Sequence, residues 1–138
     1  MPWYFYALLS AVAAAATAIL AKLGVEGIPS TLATAIRTVV VLVLAWAVVL
    51  TAGHQRALST VSSRTLTFLV LSGVATAISW LAYFRALQAA PASLVAPVDK
   101  LSLPLTILLA SLVLREAVTV PQMAGVALMV VGALLVAR

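Results

Sequence analysis

Lys22, Arg37, Arg85, Asp99 and Lys100 fall inside, or at the ends of, long apolar runs, where a hydrophobic chain should carry no charge. Four cations around one anion can hold a small anionic or zwitterionic molecule. The carboxylate can break and remake an ion pair as that molecule comes and goes. Charged residues deep in a membrane span cost about 2.5–3.5 kcal/mol on insertion scales, and they usually face a cavity or one another. Polar residues recur on the same runs at helical spacing: Asp99, Ser102 and Thr106; Ser72, Thr76, Ser79 and Tyr83; Thr34, Arg37 and Thr38; Ser10 and Thr17 with Ala14 and Ala21. The candidates for solute binding or gating are therefore Arg37, Arg85, Asp99, Lys100, Ser102, Thr76, Ser79 and Tyr83. Plainer roles compete. Lys22 and Arg85 can snorkel to the interface, Asp99 with Arg85 or Arg37 can be a structural ion pair, and small or hydroxylated stripes also serve helix packing.

Other chemistries lack their residues. There is no cysteine and one histidine, His54, so thiolate and His-rich metal sites are absent. No Ser/His/Asp arrangement, carboxylate pair or metal-ligand spacing occurs within the apolar runs, so neither an enzyme nor a cofactor or metal is expected. The net charge of +5 is a scatter of isolated residues and not the basic run that follows a phosphate backbone. Nucleic acid is not an expected partner.

The elements that position these residues follow from composition. Of 138 residues, 65% are hydrophobic and 8% charged, and the mean hydropathy is +1.25. Soluble domains are roughly 45–50% apolar and about 25% charged, and a small domain in water could not hide so much apolar surface. The chain reads as an all-α integral membrane protein. A span needs about 20 mostly apolar residues, and the sequence predicts five, at about 3–23, 30–51, 65–88, 92–114 and 120–137. Together they form a single membrane domain over 1–138, a five-helix bundle. The first run lacks a positive leader region and is expected to be a retained helix.

Helical rise puts Arg37 about 10 Å beyond Ser30 and Asp99 about 12 Å beyond Pro91, inside a half-core of about 15 Å. Because the chain alternates direction, all five charged residues fall in the half of the membrane away from residue 1. Pro97 and Pro104 each remove a backbone donor from the fourth run, freeing carbonyls near Ser93 and Lys100. Such helix breaks often mark transporter sites. Gly125 and Gly132, on one face of the last run, allow a close approach between helices and are the candidate dimer contact.

Orientation is balanced. Arg56, Arg64 and Arg115 lie toward the side of residue 1, Lys22, Arg85 and Arg138 toward the other, and Arg37 and Lys100 within spans. Loop Lys and Arg normally favour the cytoplasm. The sequence permits both a single topology and a dual one, in which copies insert both ways.

The stretch from Trp80 to Gly132 strongly resembles the EamA-domain proteins of the drug/metabolite transporter superfamily. The matching pieces are Ala86-Leu87 before a Pro-Ala-Ser turn, Pro97 and Pro104, Glu116 closing that helix, and the Gly125/Gly132 helix. Ala21-Lys22, Ala35-Ile36-Arg37-Thr38 and Val98-Asp99-Lys100-Leu101-Ser102 are similar to the short, single-domain bacterial and archaeal branch. Members are commonly ten-span transporters built from two inverted halves, and this chain resembles one half. The resemblance implies two antiparallel copies as the working unit, as in the four-span small multidrug resistance proteins, whose dimerising helix has a similar glycine spacing. The chain departs from that smaller family in lacking an early glutamate within a span. Glu26 lies in a loop, which argues against proton-coupled export of hydrophobic cations.

The expected function is small-solute transport by alternating access as an antiparallel homodimer in the inner (plasma) membrane of a prokaryote, the solute being a small anionic or zwitterionic metabolite. The alternative is a non-transporting membrane subunit, or a lipid-binding or lipid-translocating accessory protein that needs a partner.

Overall fold

The computed structural model describes residues 2–138, all of them in helices and connecting turns. The helices are α1 (Trp3–Gly24), α2 (Ser30–Thr51), α3 (Ser63–Ala89), α4 (Ala92–Asp99), α5 (Ser102–Leu109) and α6 (Val120–Val136), with a 3-10 turn at His54–Thr60 and a π turn at Ala110–Leu114. Four helical stretches are long and apolar enough to cross a membrane: α1, α2, α3, and α4 through the π turn taken together; α6 is a shorter apolar helix. The expected fourth span is thus two helices and a π turn.

The boundaries follow from turn chemistry. Pro29 and Pro91 are extended, at φ −59°, ψ 136° and φ −59°, ψ 143°, and stand just outside α2 and α4. A proline fixes φ near −65° and has no N–H to leave unbonded there. Ser62 opens α3, its Oγ accepting from the Thr65 N–H at 3.1 Å, which satisfies one orphan donor of the first turn. Gln122 does the reverse for α6. Its Oε1 accepts from the Thr119 N–H at 2.8 Å and from the Thr119 hydroxyl at 3.0 Å, the glutamine half of a capping box. Gly53 closes α2 at φ 74°, a conformation that glycine adopts without a Cβ clash.

Among the described residues, Arg115 is the non-glycine residue at positive φ, 57°. It follows the π turn, and the next N–H, of Glu116, reaches back to the Ala110 carbonyl at 3.3 Å. Glycine usually holds this position past a helix end, and a side chain there costs about 1 kcal/mol. Arg115→Gly is therefore expected to raise the midpoint of thermal unfolding in detergent. A fall would mean that the Arg115 side chain contributes more than its backbone strain removes.

The chain divides into two compact units. One runs to Lys22 and resumes at Ala89–Arg138, so it holds α1 and the α4–α6 region; the other, Leu23–Gln88, holds α2 and α3. In the first, α6 packs on both α4 and α5, Ala18, Ala21 and Ala133 are buried, and Lys22 Nζ donates to the Ala90 carbonyl at 3.2 Å. In the second, the buried residues are Val25, Ser30, Ala33, Thr34, Phe84 and Leu87. Ser30, Ala33, Thr34 and Arg37 form one stripe along α2, and Trp80, Tyr83, Phe84, Leu87 and Gln88 form one along α3, each at the spacing of a single helical face.

Candidate functional site

The α2 and α3 stripes meet at Arg37. Its guanidinium carbon lies 3.3 Å from the centroid of the Trp80 ring and 5.9 Å from that of Phe84. A carbon bearing three nitrogens comes that close to an aromatic face only plane to plane. The ring quadrupole then attracts the cation, a contact that strengthens where water is excluded. Trp80, Tyr83 and Phe84 form a ridge behind it, with centroids 5.6 Å (Trp80–Tyr83), 5.8 Å (Trp80–Phe84) and 6.4 Å (Tyr83–Phe84) apart.

Arg85 is held differently. Its Nη1 donates to the Gln88 Oε1 at 3.5 Å, and the Gln88 Nε2 donates to the Val25 carbonyl at 3.2 Å and the Ile28 carbonyl at 2.7 Å. Val25 is 2% exposed, so its carbonyl sits where a lost partner is expensive. Gln88 thereby ties the turn between α1 and α2 to the last turn of α3. Gln88 carries no sequence signal for this role, because a glutamine near a helix end usually faces solvent and no spacing rule links it to residues 25 and 28.

In the other unit, Asp99 ends α4 and Lys100 begins the break before α5. Lys100 Nζ lies 3.4 Å from Asp99 Oδ2 in an ion pair whose side chains are 53% and 34% exposed. The break is tighter than the sequence implies. Pro104 cannot donate to the Lys100 carbonyl, yet that carbonyl is not left free: it accepts from the Leu103 N–H at 3.0 Å, and the Val98 carbonyl accepts from the Leu101 N–H at 3.0 Å. These are i to i+3 bonds, the 3-10 solution to a missing donor. Pro97 lies within α4 without ending it.

Hydroxyl groups on the polar stripes turn inward to their own helices. Thr76 donates to the Ser72 carbonyl at 2.9 Å, Thr106 to Ser102 at 2.8 Å, Thr34 to Ser30 at 2.9 Å and Thr38 to Thr34 at 2.8 Å. Back-bonding of this kind satisfies a threonine in a span without any partner helix. Their oxygen lone pairs remain for a solute, but their protons are already used. Ser79 and Ser102 are exposed, and Tyr83 is half-buried beside Trp80. A Cβ built on Gly125 or Gly132 meets nothing within 4 Å in its own unit, so the glycines are not used for close packing there. An open apolar groove of about 340 Å³ lies between α5 and α6, lined by Pro104, Ile107, Leu108, Met123 and Val126, with Ser111 as its hydroxyl. Among the described residues, no three His, Asp or Glu side chains stand together as a metal site would require.

A profile of the EamA-like transporter family matches residues 1–138. The chain belongs to that family. It is 49% identical over 135 residues to a Sinorhizobium sp. protein named "Uncharacterized transporter in cobO 3'region", covering 98% of this chain and 96% of that one. It is also 36% identical over 70 residues, about half of each chain (51%), to an uncharacterized protein of Methanocaldococcus jannaschii. No solved structure matches the chain. Family membership and the four long apolar helical stretches together describe a multi-pass membrane protein of a transporter family, and they point away from an enzyme.

Within this EamA-family chain the sequence candidates fall into two groups. Arg37, Arg85, Thr76, Ser79 and Tyr83 belong to the α2–α3 unit, and Asp99, Lys100 and Ser102 to the other. Arg37, Arg85, Asp99 and Lys100 are each engaged by a neighbour of their own unit: an aromatic face, the Gln88 amide, or each other.

Proposed function

We propose that this EamA-family chain carries a small anionic or zwitterionic metabolite across the inner membrane of a prokaryote, as an antiparallel homodimer of five-span chains working by alternating access. The observation that carries the reading is the break between α4 and α5, with the Asp99–Lys100 pair on it. Broken helices at membrane depth are tolerated where they line protein or a water-filled cavity, and their half-helix ends meet solutes and ions. A charged pair at such a break supplies a fixed anion that a solute can exchange against. The name of the Sinorhizobium relative, a transporter, supports the same function class.

Three features support the assembly. α6 has 17 residues, the lower end of the range of about 17–25 for a span, and serves as the fifth crossing. Gly125 and Gly132 have open space on their own unit's side, which a helix of a second copy would fill. The Lys and Arg residues near span ends divide evenly between the two sides, which leaves orientation unbiased.

Because the chain has no cysteine, single cysteines report topology cleanly. Ser59 and Glu26 are exposed and lie in turns on opposite sides of the expected membrane; neighbouring Gly27, at φ 77°, would be strained by any side chain. Each cysteine is expected to react with impermeant maleimide from both faces of intact membranes. Reaction from one face alone would remove the antiparallel dimer and leave a lipid-handling or partner-requiring subunit as the better reading.

A further inference from the structure

We infer that the Arg37 guanidinium, held flat on Trp80, is a receptor for a single carboxylate, so that the solute is a monocarboxylate with an uncharged body. This deepens the transporter reading by naming the solute's chemical class, and it rests on that reading only for the route by which solute arrives. Stacking at 3.3 Å uses the face of the guanidinium and leaves its N–H groups pointing sideways, parallel to the ring. Among the described residues those N–H groups have no hydrogen-bond acceptor; the aromatic rings are the partners of Arg37. A guanidinium edge offers two parallel donors, which match the two oxygens of a carboxylate.

Charge matching selects among anions. Arg37 is the cation on the Trp80 face of its unit, while Arg85 lies near the end of α3 with its Nη1 donating to Gln88. Thr34 and Thr38 give their protons to backbone carbonyls, so neither offers a donor to further oxyanion oxygens. One fixed positive charge balances a carboxylate, whereas a dianion would carry an unmatched charge at membrane depth, a handicap of roughly a hundredfold in affinity. The half-buried Trp80 and Tyr83 rings border the Arg37 edge and offer an apolar neighbour to an uncharged body, with buried Phe84 behind them.

The test uses the full chain in detergent with Trp3→Phe and Trp46→Phe, leaving Trp80 as the sole tryptophan of the natural three. At about pH 9, where inorganic phosphate is a dianion and an alkylammonium is still a cation, propionate, inorganic phosphate and propylammonium are titrated against Trp80 emission. The expected result is a saturable change with propionate, at least roughly tenfold weaker with phosphate and absent with propylammonium. Adding Arg37→Lys, which keeps the charge and loses the fork, should abolish the propionate response while far-ultraviolet circular dichroism stays helical. No propionate saturation, phosphate binding as tightly as propionate, or an undiminished response in Arg37→Lys would each overturn the carboxylate site. Where Arg37→Lys fails to fold, the propionate-to-phosphate ratio on the Arg37 chain decides alone. The two readings part in proteoliposomes. Propionate binding with no uptake of any solute removes the transporter and keeps the site. Uptake of another solute class without a Trp80 response to propionate does the opposite.

Discussion

Asp99→Asn is expected to reduce solute uptake roughly a hundredfold while leaving the fold as stable as before, within about 1 kcal/mol. The two effects have separate causes. The Asp99–Lys100 pair is long, at 3.4 Å, and partly exposed, and pairs of that kind contribute about 0–1 kcal/mol. Asp99 also stands at the C-terminal end of α4, where the helix dipole disfavours an anion by about 0.3–1 kcal/mol. Losing the carboxylate therefore removes a weak pair and relieves a mild repulsion. For transport the balance differs. Asparagine leaves the solute no anion to exchange against, and the hundredfold loss corresponds to about 2.8 kcal/mol at that step, at about 1.4 kcal/mol per tenfold. Uptake into proteoliposomes and thermal unfolding, measured on the same preparation, separate the two. Full uptake would remove Asp99 from the mechanism, and a large loss of stability with uptake preserved would make it a structural residue.

Gln88→Leu is expected to have the opposite signature, a loss of about 2–4 kcal/mol in stability that thermal unfolding reads directly. The amide makes two donor contacts, to the Val25 and Ile28 carbonyls, and accepts one from Arg85. A hydrogen bond contributes about 1 kcal/mol net, and leaving a buried acceptor unsatisfied costs about 1–3 kcal/mol more. Leucine keeps the volume, so the change isolates hydrogen bonding from packing. Trypsin should then cut after Lys22 faster than in the parent chain, because the turn at residues 25–28 has lost its tie. An unchanged unfolding midpoint would mean that water replaces the amide at those carbonyls without loss.

Much of the architecture is legible from residue types because the bilayer imposes it. Apolar runs about a membrane thick must be helical, since no water is present to satisfy their backbone. Pro29, Pro91 and Gly53 mark helix limits by their own φ preferences. The break near Asp99 follows from Pro104, although its closure by i to i+3 bonds does not. The inward hydroxyls of Thr34, Thr38, Thr76 and Thr106 were readable in principle. A helical threonine always has a carbonyl four residues back, so its proton can be satisfied within its own helix.

What the linear chain could not express were the contacts made across it. Arg37 and Trp80 are far apart in sequence, and only the register of α2 against α3 brings a guanidinium onto that ring instead of onto the solvated end of the helix. Gln88 belongs to no motif, and its role exists only because the turn at residues 25–28 folds back to within 2.7 Å of its amide. The sequence by itself determined that this is a membrane protein and where its chain bends, because hydropathy and proline geometry act locally. The tertiary structure alone decided which aromatic face receives Arg37 and which carbonyls Gln88 satisfies. Those outcomes depend on side chains meeting across helices, and no local preference specifies them.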